Sequence, residues 1–223
     1  MAKQSDGNDL SLCIYNDIQR RILSVEFEPG SVIPDSWFSD NYKASRTPIR
    51  TALSRLEHAG YVFRQSGKWR VSLINADTIL QYMYARVAIE TSVIVYFMRE
   101  GDLYLLEDLA HILRKQRIIA SIDPVDALAF HEQDVAYHET WYSSEHKLGL
   151  WRLFRDNLDY ARLKILDYKR KQEYGTIISE HEEILRCIQS RDEERLKNIL
   201  KTHIYDHIAG LVSQVRSQKE YFV

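Results

Sequence analysis

The segment "ASRTPIRTALSRLEHAGYV", residues 44–62, has the pattern of an amphipathic helix. Its apolar residues recur at the spacing of one helical face and are Ile49, Ala52, Leu53 and Leu56. Ser45 is a favourable N-cap, and Pro48 falls in the first turn, where backbone N–H groups have no intrahelical partner. Gly60 is a typical helix end. The segment therefore predicts a helix with one face buried against other elements.

The exposed side of the same helix is basic. Arg46 and Arg50 lie one helical turn apart on this side. Residues 43–70 contain seven Lys and Arg against one acid, Glu57, although the whole chain has a net charge of −2. A local surplus of this kind indicates a polyanionic partner for one patch, while an ordinary solvated face remains open on charge alone.

Composition limits the class of protein. A chain of 223 residues allows one large domain or two small ones, and two are expected. The longest apolar run, "VIVYFM" at 93–98, is far shorter than the ~20 residues of a membrane helix, and residues 1–10 lack an apolar signal core. Two cysteines, Cys13 and Cys187, do not make a disulfide framework. We expect a cytoplasmic protein without membrane association and with a flexible N-terminus over residues 1–10.

The sequence around the opening segment predicts a winged helix-turn-helix over residues 11–74. Apolar residues at helical spacing indicate a first helix over about 11–25, and Asp35 is a candidate cap for a second helix, 35–42. The stretch after Gly60, "YVFRQSGKWRVSLI", has the composition of two short strands around a turn. Three helices followed by a hairpin are typical of this DNA-binding fold.

A winged helix inserts its third helix into the major groove with the N-terminus leading. Arg46 and Arg50 are then placed for bidentate contacts to guanine, and Thr47 for a phosphate oxygen. Gly67, in the turn of the hairpin, would let the wing backbone approach the duplex closely.

The rest of the chain, residues 75–223, predicts an all-α bundle of about six helices. The expected segments are about 75–101, a helix opened by Asp102, a helix opened by Asp123-Pro124, and then 147–170, 174–189 and 192–217. No internal repeat is present. The predicted fold class is mainly α, with an N-terminal winged helix-turn-helix.

Four polar residues of this bundle could bind a metal. Asp134 and His138 are four residues apart and project from one helix face, while His181 and His203 lie in later helical segments. Imidazole nitrogens with one carboxylate oxygen suit zinc or another divalent transition metal. The spacing is not specific, because Asp-x-x-x-His pairs are more often ordinary surface residues than metal sites.

The first module resembles the DNA-binding domain of GntR-family transcriptional regulators. The family pattern is approximately Ser-Arg-Thr-Pro-Val-Arg-Glu-Ala-Leu, then Leu-Glu and Gly, and residues 45–60 follow it, with Thr51 in place of the usual Glu. The resemblance implies contact with operator DNA. The candidate DNA-binding residues are Ser45, Arg46, Thr47, Arg50 and Gly67.

The second module resembles the FCD effector domain of the FadR-type branch of that family. Three segments of this chain are similar to the three motifs of that domain: "DVAYH" at 134–138, "SEHEEIL" at 179–185 and "LKTHI" at 200–204. In many members an Asp and three His bind a metal at the floor of a cavity. The resemblance therefore implies that the metal ligands are Asp134, His138, His181 and His203, with zinc expected first and nickel or another divalent metal left open.

The same resemblance suggests an effector-binding arginine. "YARVAIE" at 84–90 matches the early Arg-x-x-x-Glu pattern of the domain, which implies that Arg86 faces the cavity, where a guanidinium can clamp a carboxylate. "SSEHKLGL" at 143–150 replaces the usual Gly-Asn after the third helix of the domain, so the shape of the cavity is not implied.

The function predicted by these patterns is ligand-responsive transcriptional regulation rather than catalysis. We expect a homodimer that binds a palindromic operator in double-stranded DNA and senses a small carboxylate through the metal and Arg86. Two alternatives remain open for the Asp and His residues. They could form the centre of a metal-dependent hydrolase or lyase, or hold a purely structural metal.

Overall fold

A computed structural model describes residues 3–102, 104–155, 157–171, 173–215 and 221–223. The described residues form two compact units, 3–75 with 221–223, and 76–215. No helix in these ranges is both long enough and apolar enough to cross a membrane.

The first unit combines three helices with a small antiparallel sheet. In chain order its elements are α1 Lys3–Leu23, β1 Val32–Ile33, α2 Asp35–Tyr42, α3 Arg46–His58, β2 Val62–Gln65 and β3 Lys68–Val71. The strand order in the sheet is β1-β3-β2. Three residues, 43–45, connect α2 to α3, and Lys43 adopts a left-handed conformation at the end of α2. These elements form the predicted winged helix-turn-helix.

The wing is a tight hairpin. Strands β2 and β3 pair from Val62 opposite Val71 to Gln65 opposite Lys68. The two residues between the strands, Ser66 and Gly67, have φ of 51° and 78°. Positive φ at both central residues is the requirement of a type I′ turn, whose twist matches that of the flanking strands.

The core of the first unit is formed by the apolar faces of its helices and strands. Apolar residues at every fourth position of α1 pack against the apolar face of α3 that the sequence predicts. The buried residues are Ile14, Ile18, Ile22, Ile33, Phe38, Ile49, Ala52, Leu53, Leu56, Val62 and Val71. Burial of this stripe fixes which face of α3 remains exposed.

Some local predictions for this unit need correction. Helix α1 begins at Lys3, inside the segment predicted as a flexible N-terminus. Pro34, and not Asp35, occupies the N-cap position of α2. Ser45 occupies the N-cap position of α3, but its side chain makes no capping hydrogen bond.

The last described residues belong to the first unit and not to the bundle predicted over 75–223. Ile74 and Phe222 form a parallel β-bridge, with the Ile74 N–H donating to the Tyr221 carbonyl at 2.9 Å and the Val223 N–H donating to the Ile74 carbonyl at 3.1 Å. Phe222 is buried. Backbone pairing and this apolar contact attach residues 221–223 beside Ile74.

The second unit is entirely helical in its described part, as the sequence predicts. Its elements are α4 Ala76–Glu100, α5 Leu105–Ala120, α6 Ala127–Ser144, α7 Leu148–Arg155, α8 Leu158–Lys171, α9 Tyr174–Ser190, α10 Glu193–Lys201, a π-helical segment Thr202–Asp206 and α11 His207–Val215. Helix α6 packs against α4, α5, α7 and α8.

Three helix boundaries in the bundle differ from the prediction, and the first is the start of α5, which lies at Leu105 and not at Asp102. The helix expected over 147–170 is divided into α7 and α8, and the Asn157 side chain caps α8 by accepting from the Tyr160 N–H at 2.9 Å. The helix expected to begin at Asp123-Pro124 begins at Ala127, because the Asp126 carboxylate accepts from two backbone N–H groups at 3.0 Å and forms the cap.

Candidate functional site

The bundle brings all four predicted metal ligands together. Asp134 and His138 come from α6, His181 from α9 and His203 from the π-helical segment. All four are buried, and their potential ligand atoms lie within 4.8 Å of one another. Two residues that are 69 positions apart in the sequence, Asp134 and His203, therefore share one centre.

The three imidazoles face one another through their Nε2 atoms. His203 Nε2 lies 3.1 Å from His138 Nε2 and 3.1 Å from His181 Nε2. Asp134 Oδ1 lies 3.4 Å from His181 Nε2. Three nitrogens and one oxygen therefore converge on a small volume inside the bundle.

The opposite nitrogen of each ring has an oxygen partner. Nδ1 of His203 lies 2.8 Å from Glu180 Oε2, Nδ1 of His181 lies 3.0 Å from Gln116 Oε1, and Nδ1 of His138 pairs with Glu90. Because these oxygens accept hydrogen bonds, the rings donate through Nδ1–H and present the lone pair of Nε2 to the centre. Lone pairs at 3.1 Å repel one another unless a cation lies among them.

The residues fit a divalent transition metal. Asp134 Oδ1 is buried and has no hydrogen-bond partner among the described residues, an arrangement that is costly unless a cation uses the oxygen. Burial alone would raise the pKa of Asp134, but Lys164 and the surrounding imidazoles outweigh burial and hold this pKa well below its ordinary range. Burial lowers the pKa of His181 and of His203, which favours the neutral imidazole that binds metals.

Sequence analysis missed the residues that orient the imidazoles. Glu90 and Glu180 lie inside the motifs already recognised, four residues after Arg86 and one residue before His181, but their contacts depend on the packing of separate helices. Glu180 also accepts from His207 Nε2 at 2.5 Å. Carboxylate and amide partners of this kind fix ligand rings in productive orientations.

The structure places the predicted effector residue, Arg86, in the buried interior beside the centre. Its Nε donates to Glu90 at 2.9 Å, and one Nη donates to the Tyr160 hydroxyl at 3.2 Å. Glu90 therefore links Arg86 to His138. Burial raises the pKa of Glu90, but Arg86 and His138 outweigh burial and lower it to about 2. The second Nη of Arg86 has no hydrogen-bond partner in the part of the chain that the structure describes.

The predicted DNA-binding side chains lie on the exposed side of α3. Arg46, Thr47 and Arg50 are exposed, and neither arginine forms a salt bridge with any described residue. Both arginines line a groove of about 560 Å³ bordered by α2, α3 and the hairpin. A basic groove of this shape can accept the backbone of a polyanion.

Arg64 is an addition to the predicted groove residues. It lies on β2, stacks 5.1 Å above the Trp69 ring and donates to the Gly67 carbonyl at 3.2 Å. Its position in the basic stretch 43–70 indicates a possible DNA contact. Its place beside Arg46 and Arg50, however, depends on the pairing of β2 with β3. Ser45 and Gly67 are also exposed, at the start of α3 and at the tip of the wing.

Comparison with known proteins identifies both modules. Residues 10–68 match the model of "Bacterial regulatory proteins, gntR family", and residues 81–206 match the FCD domain. The chain is 25% identical over 206 residues to a gluconate operon transcriptional repressor of Bacillus licheniformis. The aligned region covers 89% of this chain and 83% of that protein. The chain is 24% identical over 214 residues to the transcriptional repressor RspR of Escherichia coli K12, with 92% and 90% covered.

The fold has a counterpart among solved structures. A GntR transcriptional regulator from Rhodococcus sp. RHA1 superposes with a TM-score of 0.71 and 18% identity, covering 91% of this chain and 97% of that one. The FCD match alone spans more than half of the 223 residues. The chain therefore belongs to the GntR family of bacterial transcriptional regulators, as a member with an FCD domain.

Proposed function

We propose that this regulator binds a palindromic operator as a homodimer and responds to a small carboxylate held by a metal-assisted site in its bundle. The observation that carries the DNA-binding part is the pair of exposed arginines, Arg46 and Arg50, on α3 of a winged helix. They lie one turn apart with no salt-bridge partner among the described residues. This is the arrangement that base edges in the major groove require.

Two copies of the winged helix would match the two-fold symmetry of a palindrome. A single small module makes few phosphate contacts, and a dimer doubles them. In this proposal residues 11–74 bind DNA, with Ser45, Thr47 and Gly67 close to the backbone. The bundle binds the effector and supplies the contact between the two copies.

The centre in the bundle would hold a divalent metal through Asp134, His138, His181 and His203, with zinc as the first candidate and nickel as the second. Such a metal, when bound, supplies a Lewis acid that attracts a carboxylate oxygen. Arg86 supports the same ligand, because it shares Glu90 with His138 and its second Nη is buried with no hydrogen-bond partner among the described residues. Relatives named as gluconate operon repressors favour a sugar acid or a similar hydroxy acid.

The catalytic alternative has weaker support. A metal hydrolase needs a general base within reach of the bound water. Among the described residues, Glu90 and Glu180 are carboxylates that contact ligand imidazoles, and each already accepts from an imidazole Nδ1–H. Curated relatives over most of the chain are transcriptional regulators, so we assign Asp134 and the three histidines to sensing.

The substitution Arg46→Ala tests the DNA-binding part. It should weaken specific binding by ~1–3 kcal/mol, because it removes one base-edge contact and leaves the core face of α3 intact. The measurement is fluorescence anisotropy on an operator fragment selected from genomic DNA, at fixed salt. Arg114→Ala removes an exposed arginine from α5 and serves as the charge-matched control.

Asp134→Ala separates the two modules. This variant should retain operator affinity without effector and lose both the metal and the response to effector. Arg46→Ala and Arg114→Ala variants with equal operator affinity would contradict the assignment of α3. If the wild type binds the operator but binds no added metal, only the assignment of the bundle is contradicted.

A further inference from the structure

Tyr160 contacts Arg86 from a helix that contributes no candidate metal ligand. It lies in the first turn of α8, where its N–H donates to the Asn157 side chain at 2.9 Å, and it is 8% exposed. The Tyr160 oxygen lies 3.2 Å from one Nη of Arg86. The guanidinium carbon of Arg86 is 5.5 Å from the centre of the Tyr160 ring. Tyr160 is therefore the direct neighbour of the arginine that we assign to the effector.

The hydrogen bond between Arg86 and Tyr160 can run in only one direction. A guanidinium has five N–H donors and no acceptor, so Arg86 donates and the Tyr160 oxygen accepts. The phenolic proton of Tyr160 then needs a separate acceptor. No residue in the described ranges accepts a hydrogen bond from it. Tyr160 thus keeps an unused donor in a buried position.

Arg86 has a second unused donor close to the first. Its Nε donates to Glu90 and one Nη donates to Tyr160, while the other Nη is buried with no hydrogen-bond partner among the described residues. Both Nη atoms are attached to one carbon, in a planar fork. The free Nη and the Tyr160 hydroxyl are therefore separated by one fork and one hydrogen bond. The two donors lie close enough together for the oxygens of one small ligand.

The surrounding contacts hold the arginine in place. Glu90 accepts from Arg86 Nε at 2.9 Å and also pairs with His138. The guanidinium carbon of Arg86 lies 5.3 Å from the Trp151 ring centre, and Trp151 is buried. An ion pair and two aromatic neighbours, Trp151 and Tyr160, therefore fix the guanidinium, and Glu90 connects it to a candidate metal ligand.

A carboxylate is the chemical group that matches two such donors. The Tyr160 oxygen accepts from a cation, which polarises its O–H bond and makes it a better donor to an anion. A buried donor without an acceptor costs free energy, and an anionic oxygen removes that cost when it binds. A carboxylate has two acceptor oxygens. One can bind a metal while the other accepts from Arg86 and Tyr160.

We propose that Tyr160 is a further effector-binding residue, whose hydroxyl donates to the carboxylate that Arg86 and the metal hold. This inference rests on the proposed effector site of the bundle. It assigns Tyr160 to the carboxylate group itself and not to the rest of the effector. The site then rejects the corresponding primary amide, because an amide offers one oxygen in place of two and leaves buried donors unpaired.

Carboxylate probes test this role in the full-length, zinc-loaded protein by isothermal titration calorimetry. The probes are acetate, lactate and gluconate, with lactamide and gluconamide as the amides. Tyr160→Phe should weaken the binding of each acid that the wild type binds by about tenfold, because the lost hydrogen bond is to a charged group. The factor should be similar for all of them, since they share only the carboxylate. The wild type should bind each amide at least tenfold more weakly than its acid.

Tyr142→Phe is the matched control. Tyr142 is a buried tyrosine beside the same ion pair, but its hydroxyl already donates to Glu90 at 3.4 Å. Loss of this hydroxyl should change the affinity for the acids by less than threefold. Equal losses of affinity in Tyr142→Phe and Tyr160→Phe would overturn a specific role for Tyr160.

A measurement on the wild type covers the case in which Tyr160→Phe does not fold. Acetate or lactate labelled with ¹³C in its methyl group should show an intermolecular nuclear Overhauser effect to the Tyr160 ring protons. A bound acid without this effect would overturn direct contact between Tyr160 and the ligand.

The remaining outcomes separate this inference from the proposed function. If the wild type binds the acids, Arg86→Met abolishes binding and Tyr160→Phe binds them as the wild type does, the role of Tyr160 alone is overturned. Tyr160→Phe should keep the zinc affinity of the wild type, and a parallel loss of zinc affinity would make Tyr160 structural and overturn the proposal. If the zinc-loaded wild type binds none of the acids, with operator binding intact, both the role of Tyr160 and the proposed effector site are overturned.

Discussion

At the scale of single residues, each candidate ligand imidazole is oriented by an oxygen that accepts a hydrogen bond from its Nδ1–H. Glu180 is the clearest case, because one carboxylate contacts Nδ1 of His203 at 2.8 Å and Nε2 of His207 at 2.5 Å. Burial raises the pKa of Glu180, but these two histidines outweigh burial and lower it to about 2. The carboxylate is therefore ionised and holds the His203 ring with Nε2 towards the centre.

The substitution Glu180→Leu should weaken metal binding by roughly 10–100-fold, because His203 loses the acceptor that fixes its ring and its tautomer. Competition with a chromogenic zinc chelator measures the change. Glu182→Leu is the matched control, since Glu182 lies two residues further along α9 and pairs at the surface with Arg117. Equal zinc affinity in both variants would contradict an orienting role for Glu180.

Prediction from sequence at this scale identified the four clustered residues but not the residues that hydrogen-bond to them. Asp134 and His138 are recognisable because their spacing puts both on one helix face. His181 and His203 required the resemblance to known motifs. Glu90 is the acid of the recognised Arg-x-x-x-Glu pattern, but Glu90 and Gln116 contact the imidazole rings across 48 and 65 residues, so the local sequence does not reveal these contacts.

At the scale of elements, a hydrogen-bonded carboxylate joins α1 to the helix-turn-helix. Asp17 on α1 accepts from the Tyr42 hydroxyl of α2 at 2.7 Å and from Arg21 Nε at 3.0 Å. Burial raises the pKa of Asp17, but the hydrogen bonds from Tyr42 and Arg21 outweigh burial and lower it below its ordinary value. The end of α2 is thereby fixed just before the turn that leads into α3.

The lowered pKa of Asp17 predicts a dependence of stability on pH. The folded state binds this proton less readily than the unfolded state, so the contribution is complete above the ordinary pKa of about 3.9 and disappears as the pH falls through the folded pKa. Asp17→Asn should reduce the hydrogen-exchange protection of α1 and α2 at pH 7. Between about pH 5 and 3 the variant should lose less of its protection than the wild type does.

The matched control for this experiment is Asp40→Asn, which changes an exposed carboxylate of α2. Exchange rates are corrected for the intrinsic effect of pH before comparison. A wild-type protein and an Asp17→Asn variant that lose protection in parallel would show that this carboxylate does not contribute.

The strength of local signals explains which elements were predictable. α3 has a full apolar stripe, a favourable N-cap residue and a terminal glycine, and its bounds of Arg46–His58 agree with the sequence. The break between α7 and α8 has a weaker signal. It is marked only by the cap residue Asn157, which lies inside a continuous amphipathic pattern. Strand β1, with two residues, is too short for alternation to reveal it.

At the scale of the whole molecule, the proposed metal centre would join distant parts of the bundle. Its ligands come from α6, α9 and the π-helical segment, and its supporting acceptors from α4, α5 and α9. The first unit has a separate apolar core of its own. Metal binding should therefore stabilise the bundle and leave the core of the DNA-binding unit unchanged.

Chelation by dipicolinate should lower the Tm of the bundle, because metal loss leaves Asp134 buried without a partner and three imidazole lone pairs facing one another. Zinc should restore the Tm, and magnesium should not, since the site is rich in nitrogen. Exchange protection of α1 and α3 should stay constant. Restoration by magnesium would contradict a centre built from three imidazoles.

The π-helical segment keeps one stripe of apolar side chains facing the interior. Five buried apolar residues recur here at every fourth position and are Leu196, Leu200, Ile204, Ile208 and Val212, while His203 and Leu211 are buried beside them. In a continuous α-helix such a stripe would rotate by about 40° at each step, because 3.6 residues complete a turn. The wider turn at Thr202–Asp206 takes up part of this rotation. The widened turn therefore helps these five side chains to remain on one face of the helix.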